Sequence, residues 1–209
     1  KSGWDSESFY LTARFMSQAF EDRSLHLGDG DFYNVPVDLL ASQAYADSVV
    51  KVIMSENTAT VPQTGATHFE WSPGSTTNFC VVDKWGNTVA VNQTVNLWFG
   101  SKLTLPGTGV VLNDEMDDFS AQPGMPNAFG LIGGEANSIA PGKRPLSSMS
   151  PTIVVKDGKP VLLLGGAGGS RIITAVLQVI VNVVDFGMTN EKALEHPRFH
   201  HQFKPNILF

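Results

Sequence analysis

Gly74-Ser75-Thr76-Thr77-Asn78-Phe79-Cys80-Val81-Val82-Asp83-Lys84-Trp85-Gly86-Asn87-Thr88-Val89-Ala90-Val91-Asn92-Gln93-Thr94 is the stretch that decides the fold class. Asn78 to Asp83 and Thr88 to Thr94 are strand-forming runs on either side of Lys84-Trp85-Gly86-Asn87, which predicts an antiparallel hairpin. A second hairpin is predicted from Thr152 to Val155 and Pro160 to Leu164, around an Asp157-Gly158 turn. Gly165-Gly166-Ala167-Gly168-Gly169 then leads into an apolar helix over 170–186. Upstream of the first hairpin the grammar is helical. Phe9, Ala13, Met16 and Phe20 recur on one face of a helix over 6–22, with Ser6 or Ser8 as its cap. Asp29-Gly30-Asp31 reads as a turn, and a second helix follows Pro36, with Leu39, Leu40, Ala44, Val49, Val50 and Ile53 apolar. Residues 55–75 are polar and rich in turn formers, which predicts a mobile linker, and 100–150 is rich in Gly and Pro. Helices, linker, strands, loops, strands, helix is an α+β order with antiparallel sheet, not an alternating βαβ pattern.

The composition fits a packed globule. Of 209 residues, 42% are hydrophobic and 16% charged, outside the range of disordered chains. A net charge of −6 argues against general binding to nucleic acid or anionic membrane. The single cysteine, Cys80, excludes an internal disulfide and a Cys-rich zinc site, and its apolar neighbours predict a buried position. No apolar run reaches the roughly 18 residues of a membrane span; the best candidate, Ile172 to Phe186, is interrupted by Thr174, Gln178, Asn182 and Asp185.

Several groups carry possible chemistry. Thr94 and Asn96 are two apart on a predicted strand, so alternation sends both side chains to one face. Glu115, Asp117 and Asp118 form an acidic group that reads, on composition alone, as a solvated loop or a partial cation site. The Ser147 and Ser148 hydroxyls can donate to a carboxylate. Gly168-Gly169 lies between a strand and a helix start, where backbone without Cβ atoms can approach a reacting carbonyl and present outward amides. The segment lacks the endings of nucleotide-binding glycine loops. His196 and His200 have helical spacing, but Pro197 intervenes and no H-E-x-x-H frame exists, so structural histidines are expected and no metal.

The chain resembles the gamma-glutamyltranspeptidase family in six ordered segments. They are Thr76-Thr77-Asn78-Phe79, Val82-Asp83-Lys84-Trp85-Gly86-Asn87, Leu112 to Ser120, Lys143 to Thr152, Gly168 to Ile172, and Pro197 to Gln202. The resemblance implies the αββα sandwich of N-terminal-nucleophile hydrolases. It implies self-cleavage before Thr76, dividing a large-subunit region, 1–75, from a small-subunit catalytic region, 76–209, both parts of a longer precursor. Thr76 is then the nucleophile and its freed α-amine the base. By the same likeness Thr94 bonds the nucleophile's hydroxyl, and Gly168 and Gly169 hold the oxyanion. Asn96 contacts the amino acid end of the donor. Asp118, helped by Glu115, takes its α-ammonium, and Ser147 with Ser148 its α-carboxylate. An arginine from the remaining large-subunit part completes that clamp; neither Arg144 nor Arg171 matches it. Phe129, in Pro123 to Gly130, holds the gate position of a lid. The implied substrates are a glutathione-like gamma-glutamyl donor and water or an amino acid or peptide amine, with no cofactor and a periplasmic or extracellular setting. Two alternatives stay open: a cephalosporin or other amide acylase of the same fold, and an unprocessed, non-catalytic homologue.

Overall fold

The computed structural model describes residues 3–55, 63–64 and 74–209, and the expected linker over 55–75 lies mostly outside them. By internal contacts the chain divides into two units. The first takes Lys1–Phe69, Asp117–Leu146 and Phe199–Phe209; the second takes Glu70–Met116 and Ser147–Arg198. This spatial division is not the one a cut before Thr76 would make, since both units draw on residues from either side of it.

The first unit is built on α1 (Ser6–His26). Its cap is Asp5, not Ser6 or Ser8 alone. The Asp5 Oδ1 accepts from the Ser8 amide at 2.8 Å, and the Ser8 Oγ accepts from the Asp5 amide at 2.9 Å. The reciprocal pair satisfies two amides that a helix start otherwise leaves open. Ala13, Met16 and Phe20 are buried, as the periodicity requires. Phe9 is at the edge of that face and packs its ring on Phe199. The helix expected after Pro36 is two: α2 (Val37–Leu40) and α3 (Gln43–Ser55). Ser42 divides them, its Oγ accepting from the Tyr45 amide at 3.1 Å and donating to the Leu39 carbonyl at 2.7 Å. A serine that caps a new helix competes with continuing the old one. The turn at Asp29 is pinned from a distance. Asp29, buried, accepts from the Arg144 backbone amide and Nε, and the same guanidinium bridges to Asp31. That bond set drives the Asp29 carboxyl well below the usual carboxylate range and raises Arg144. A short parallel pair, β1 (Gln63–Thr64) with β6 (Ile207–Leu208), joins this unit's ends. Phe119, Phe129, Leu131 and Ala136 are buried in its loops.

The second unit holds both predicted hairpins. β2 (Gly74–Val82) pairs antiparallel with β3 (Thr88–Leu97), and β4 (Thr152–Lys156) with β5 (Lys159–Leu164). At the second turn Asp157 and Gly158 both have positive φ, 52° and 73°, which matches a two-residue turn that follows the strands' twist. α4 (Arg171–Val184) packs on β5 through Leu162, Leu164, Ile172, Val176 and Val179, and α5 (Asn190–Glu195) adds Ala193. The expected α+β plan is thus present. Cys80 departs from expectation: it is exposed, and so are Phe79, Val81 and Val82 beside it. An apolar run marks a strand, but what covers the strand's faces is decided by the elements that pack on it, and the described residues leave this part of β2 uncovered.

Candidate active site

Thr76 and Thr94 face one another as a register pair of the first hairpin. The Thr76 Oγ1 donates to the Thr94 Oγ1 at 3.0 Å, and the Thr94 hydroxyl donates in turn to the Ser75 carbonyl at 3.3 Å. Thr94 also accepts from the Asn96 backbone amide at 2.8 Å. A hydroxyl has one proton and two lone pairs, so these three bonds use all of it and fix its rotor. Register shifts between Gly74 and Thr76, where Gly74 pairs with Leu97 but Thr76 with Thr94. The extra residue lies on β3, and Asn96 takes a positive φ of 73° to accommodate it. Strand alternation therefore ends at Thr94. Thr94 and Asn96 are brought together by the bulge, not by the two-residue period that predicted a shared face. The Asn96 side chain is buried and its Nδ2 reaches the Asp114 carbonyl at 3.3 Å.

Two rungs along, Asn78 pairs with Asn92, the Asn78 Nδ2 donating to the Asn92 Oδ1 at 2.7 Å. The Asn92 Nδ2 donates onward to the Gly166 carbonyl at 2.7 Å. These two amides tie the threonine rung to the glycine loop. Gly165 lies directly against them: a Cβ there would come within 2.1 Å of the Asn78 Nδ2 and 2.4 Å of the Asn92 Oδ1. Gly168 and Gly169 are buried and both have positive φ, 134° and 57°, which side chains rarely adopt. Their carbonyls accept from the Arg171 and Ile172 amides at the start of α4.

Asp118, near the start of the first unit's middle segment, closes a 3-10 turn over Glu115–Asp118. The neighbouring Asp117 spends its Oδ2 on the Ala128 amide at 3.0 Å. Arg23, on α1, is drawn below its ordinary value to about 10 by burial, against the opposing pull of the Asp118 charge. Asn137, 5% exposed, donates its Nδ2 to the Asp118 carbonyl at 2.7 Å and accepts on Oδ1 from the Leu146 amide at 3.0 Å. Phe129 is buried; its carbonyl accepts from the Gln202 Nε2 at 3.1 Å and its amide bonds the Asn127 Oδ1. Ser147 opens the later segment of the second unit, with its Oγ accepting from the Met149 amide at 3.1 Å, and the Ser148 carbonyl accepts from the Ser150 hydroxyl.

A sequence profile described as gamma-glutamyltranspeptidase matches residues 2–209 of this chain. The chain belongs to the gamma-glutamyltranspeptidase family. It is 47% identical over 212 residues to the glutathione hydrolase proenzyme of Escherichia coli, and 47% identical over 207 residues to that of Pseudomonas sp. strain A14. Those alignments take in 100% and 96% of this chain but only 36% and 35% of the relatives' own length. Among solved structures, a mutant of the Helicobacter pylori gamma-glutamyltranspeptidase superposes with a TM-score of 0.62 at 55% identity, covering 63% of this chain and 71% of the other. The Pseudomonas nitroreducens gamma-glutamyltranspeptidase complexed with L-DON gives 0.61 at 55%, covering 62% and 67%. The fold is that of the N-terminal-nucleophile hydrolases to which these structures belong.

Within this chain the second unit holds Thr76, Thr94, Asn96, Gly168 and Gly169; hydrogen bonds join the first three on one hairpin, and Asn92 reaches the glycine loop at the Gly166 carbonyl. Asp118 and Phe129 belong to the first unit. Reading the residues one by one did not single out Asn78, Asn92, Arg23 or Asn137 for any role. Asn78 and Asn92 were visible only as polar residues within strands, and Asn137 as one more loop residue. Two of the histidines, His200 and His201, bond neighbouring side-chain amides. The His200 Nε2 meets the Gln202 Oε1 at 2.8 Å, the His201 Nε2 meets the Asn206 Oδ1 at 2.9 Å, and burial pushes the His201 ring downward.

Proposed function

We propose that the protein containing this chain cleaves gamma-glutamyl amides through a threonine ester, after cutting itself before Thr76. The observation that carries the reading is the hydroxyl relay from Thr76 through Thr94 to the Ser75 carbonyl. In the uncut chain Thr94 can receive the Thr76 proton and give its own to the Ser75 oxygen as the Thr76 Oγ1 adds to the Ser75 carbon. The amide C–N bond then breaks and the Thr76 nitrogen leaves with a proton. Water opens the resulting ester, leaving a Ser75 carboxylate and Thr76 with a free α-amine. An amine of this kind has an unperturbed pKa near ~7.7–8.0 and can serve as base for the next attack.

In turnover, the Thr76 Oγ1 attacks the donor's γ-carbonyl, and the Gly168 and Gly169 amides stabilise the oxyanion. The leaving amine takes the proton, and water or another amine releases the glutamyl group. Asp118, assisted by Glu115, pairs with the donor α-ammonium by a charge-assisted bond, Asn96 contacts the donor's amino acid end, and the Ser147 and Ser148 hydroxyls take its carboxylate. Phe129 is the candidate gate; its opening would have to break the Gln202 bond and expose a buried ring. Glutathione-like donors, amino acid or peptide acceptors and the remaining large-subunit part as partner follow from the same likeness.

The test uses the full-length precursor and a gamma-glutamyl anilide. The expected result is anilide release, two bands on a denaturing gel and a smaller product beginning Thr-Thr-Asn-Phe. Thr76→Ala should stay a single folded chain and lose roughly 10³-fold or more of its turnover. A different N-terminus in an active enzyme would overturn the nucleophile; an uncut, inactive wild-type protein would favour the non-catalytic reading.

A further inference from the structure

We propose that Asn137 is a positioning residue that holds Asp118 where it can meet the donor's α-ammonium. This rests on the reading of Asp118 as the partner of that ammonium. Asp118 and Leu146 lie on two loops of the first unit, far apart in sequence, and neither lies in a strand or α-helix. Asn137 touches both. Its Nδ2 donates to the Asp118 carbonyl at 2.7 Å, while its Oδ1 accepts from the amide of Leu146, the residue bonded to Ser147. Its own backbone is fixed as well: the carbonyl accepts from the Ser120 amide at 2.9 Å and the amide donates to the Gly134 carbonyl at 3.2 Å. The far side of Leu146 is held from α1, where the Arg23 Nη2 donates to the Leu146 carbonyl at 3.3 Å. The amide and the carbonyl of Leu146 are therefore both occupied, so the loop against which Asn137 braces Asp118 is itself fixed.

The chemistry explains why an asparagine suits the place. A carboxamide offers a donor and an acceptor on opposite corners of one rigid plane, so it can bridge a carbonyl on one loop and an amide on another. Buried at 5% exposure, it has no water to substitute for either bond. An aspartate would keep the Leu146 bond but could not donate to the Asp118 carbonyl. A residue that supports a binding group in this way acts on where the donor sits, and a displacement of about 1 Å can cost about 10²-fold.

The experiment compares gamma-glutamyl and glutaryl anilides on the full-length enzyme, unsubstituted and as Asn137→Ala and Asn137→Asp. The ratio of the two kcat/KM values does not depend on how much protein is folded or cut, so a merely structural role leaves it unchanged. The expected result is a fall in the glutamyl-to-glutaryl ratio of about tenfold or more in both variants, carried by the KM of the glutamyl donor. Hydrogen exchange should quicken across 118–120 and 146–148. A ratio within about twofold of the unsubstituted enzyme in both variants overturns the proposal, and so does unchanged exchange in those segments. An unsubstituted enzyme that does not prefer the glutamyl donor fails earlier: it removes the Asp118 pairing itself, and its positioning with it.

Discussion

The threonine hairpin and the Asp118 loops solve the same problem, holding polar groups in place, by different means. In the hairpin the backbone ladder of β2 and β3 sets the register, and the side chains inherit it: Thr76 faces Thr94 and Asn78 faces Asn92 because their Cα atoms are paired. The Asp118 region has no ladder. Its backbone runs through a 3-10 turn, isolated bridges and turns, and buried side-chain amides do the pairing that strands do elsewhere. The lesson is that Thr76, the proposed nucleophile, is placed by regular structure, while Asp118, the proposed ammonium partner, depends on individual side chains such as Asn137. Substitutions in the hairpin region should therefore act on kcat, and those in the loop region on donor choice.

The largest effect is expected where the hairpin region meets the reacting carbonyl. Gly169→Val places a branched side chain at a φ of 57° and crowds an amide assigned to the oxyanion. Turnover should fall roughly 10²–10³-fold, the scale of losing one such donor. Normal kcat in a folded variant would sink that role. Asp118→Ala tests the other side of the comparison. The glutamyl donor should lose about 10²-fold in kcat/KM and the glutaryl donor far less, because only the former brings an ammonium. Self-cleavage, read on a gel, should proceed as before; equal losses for both donors would place Asp118 in the chemistry and not in the clamp.

Smaller effects sharpen the contrast further. Gly165→Ala drives a methyl into the Asn78–Asn92 pair, and overpacking of this kind costs about 1–3 kcal/mol. Denaturant titration should show that loss, and adding Asn78→Ala should return part of it; simple additivity would mean the clash is relieved elsewhere. The smallest expected effect concerns the Asp29–Arg144 pair and acid. Arg144 holds the folded Asp29 carboxyl below its unfolded value. Its contribution is therefore fully present above the unfolded pKa of about 3.9 and is lost as pH falls below that value toward the folded one. Asp29→Asn should lower the thermal midpoint near neutral pH and narrow its difference from the unsubstituted protein below about pH 3. A gap that stays constant with pH would show that the pair acts by shape alone.

Much of the fold was legible in the residues. Period-3.6 apolar spacing placed α1, two strand-turn-strand patterns placed both hairpins, and the Asp157-Gly158 turn named its own geometry, because these are local preferences that each segment carries with it. The motifs also marked Thr76, Thr94, Asp118 and Gly168-Gly169 as residues of interest. Tertiary structure decided the rest. Cys80 and its neighbours were apolar enough to read as core, yet burial belongs to what packs on a strand and not to the strand. Thr94 and Asn96 were expected to share a face by alternation, yet a bulge, visible only once β2 and β3 are paired, turns Asn96 into a backbone donor to Thr94. Asn92 and Asn137 had no signal at all, because a buried amide is useful only for what stands on its two sides, and those partners, Gly166 for one and Asp118 with Leu146 for the other, are distant in sequence and meet only when the chain has folded.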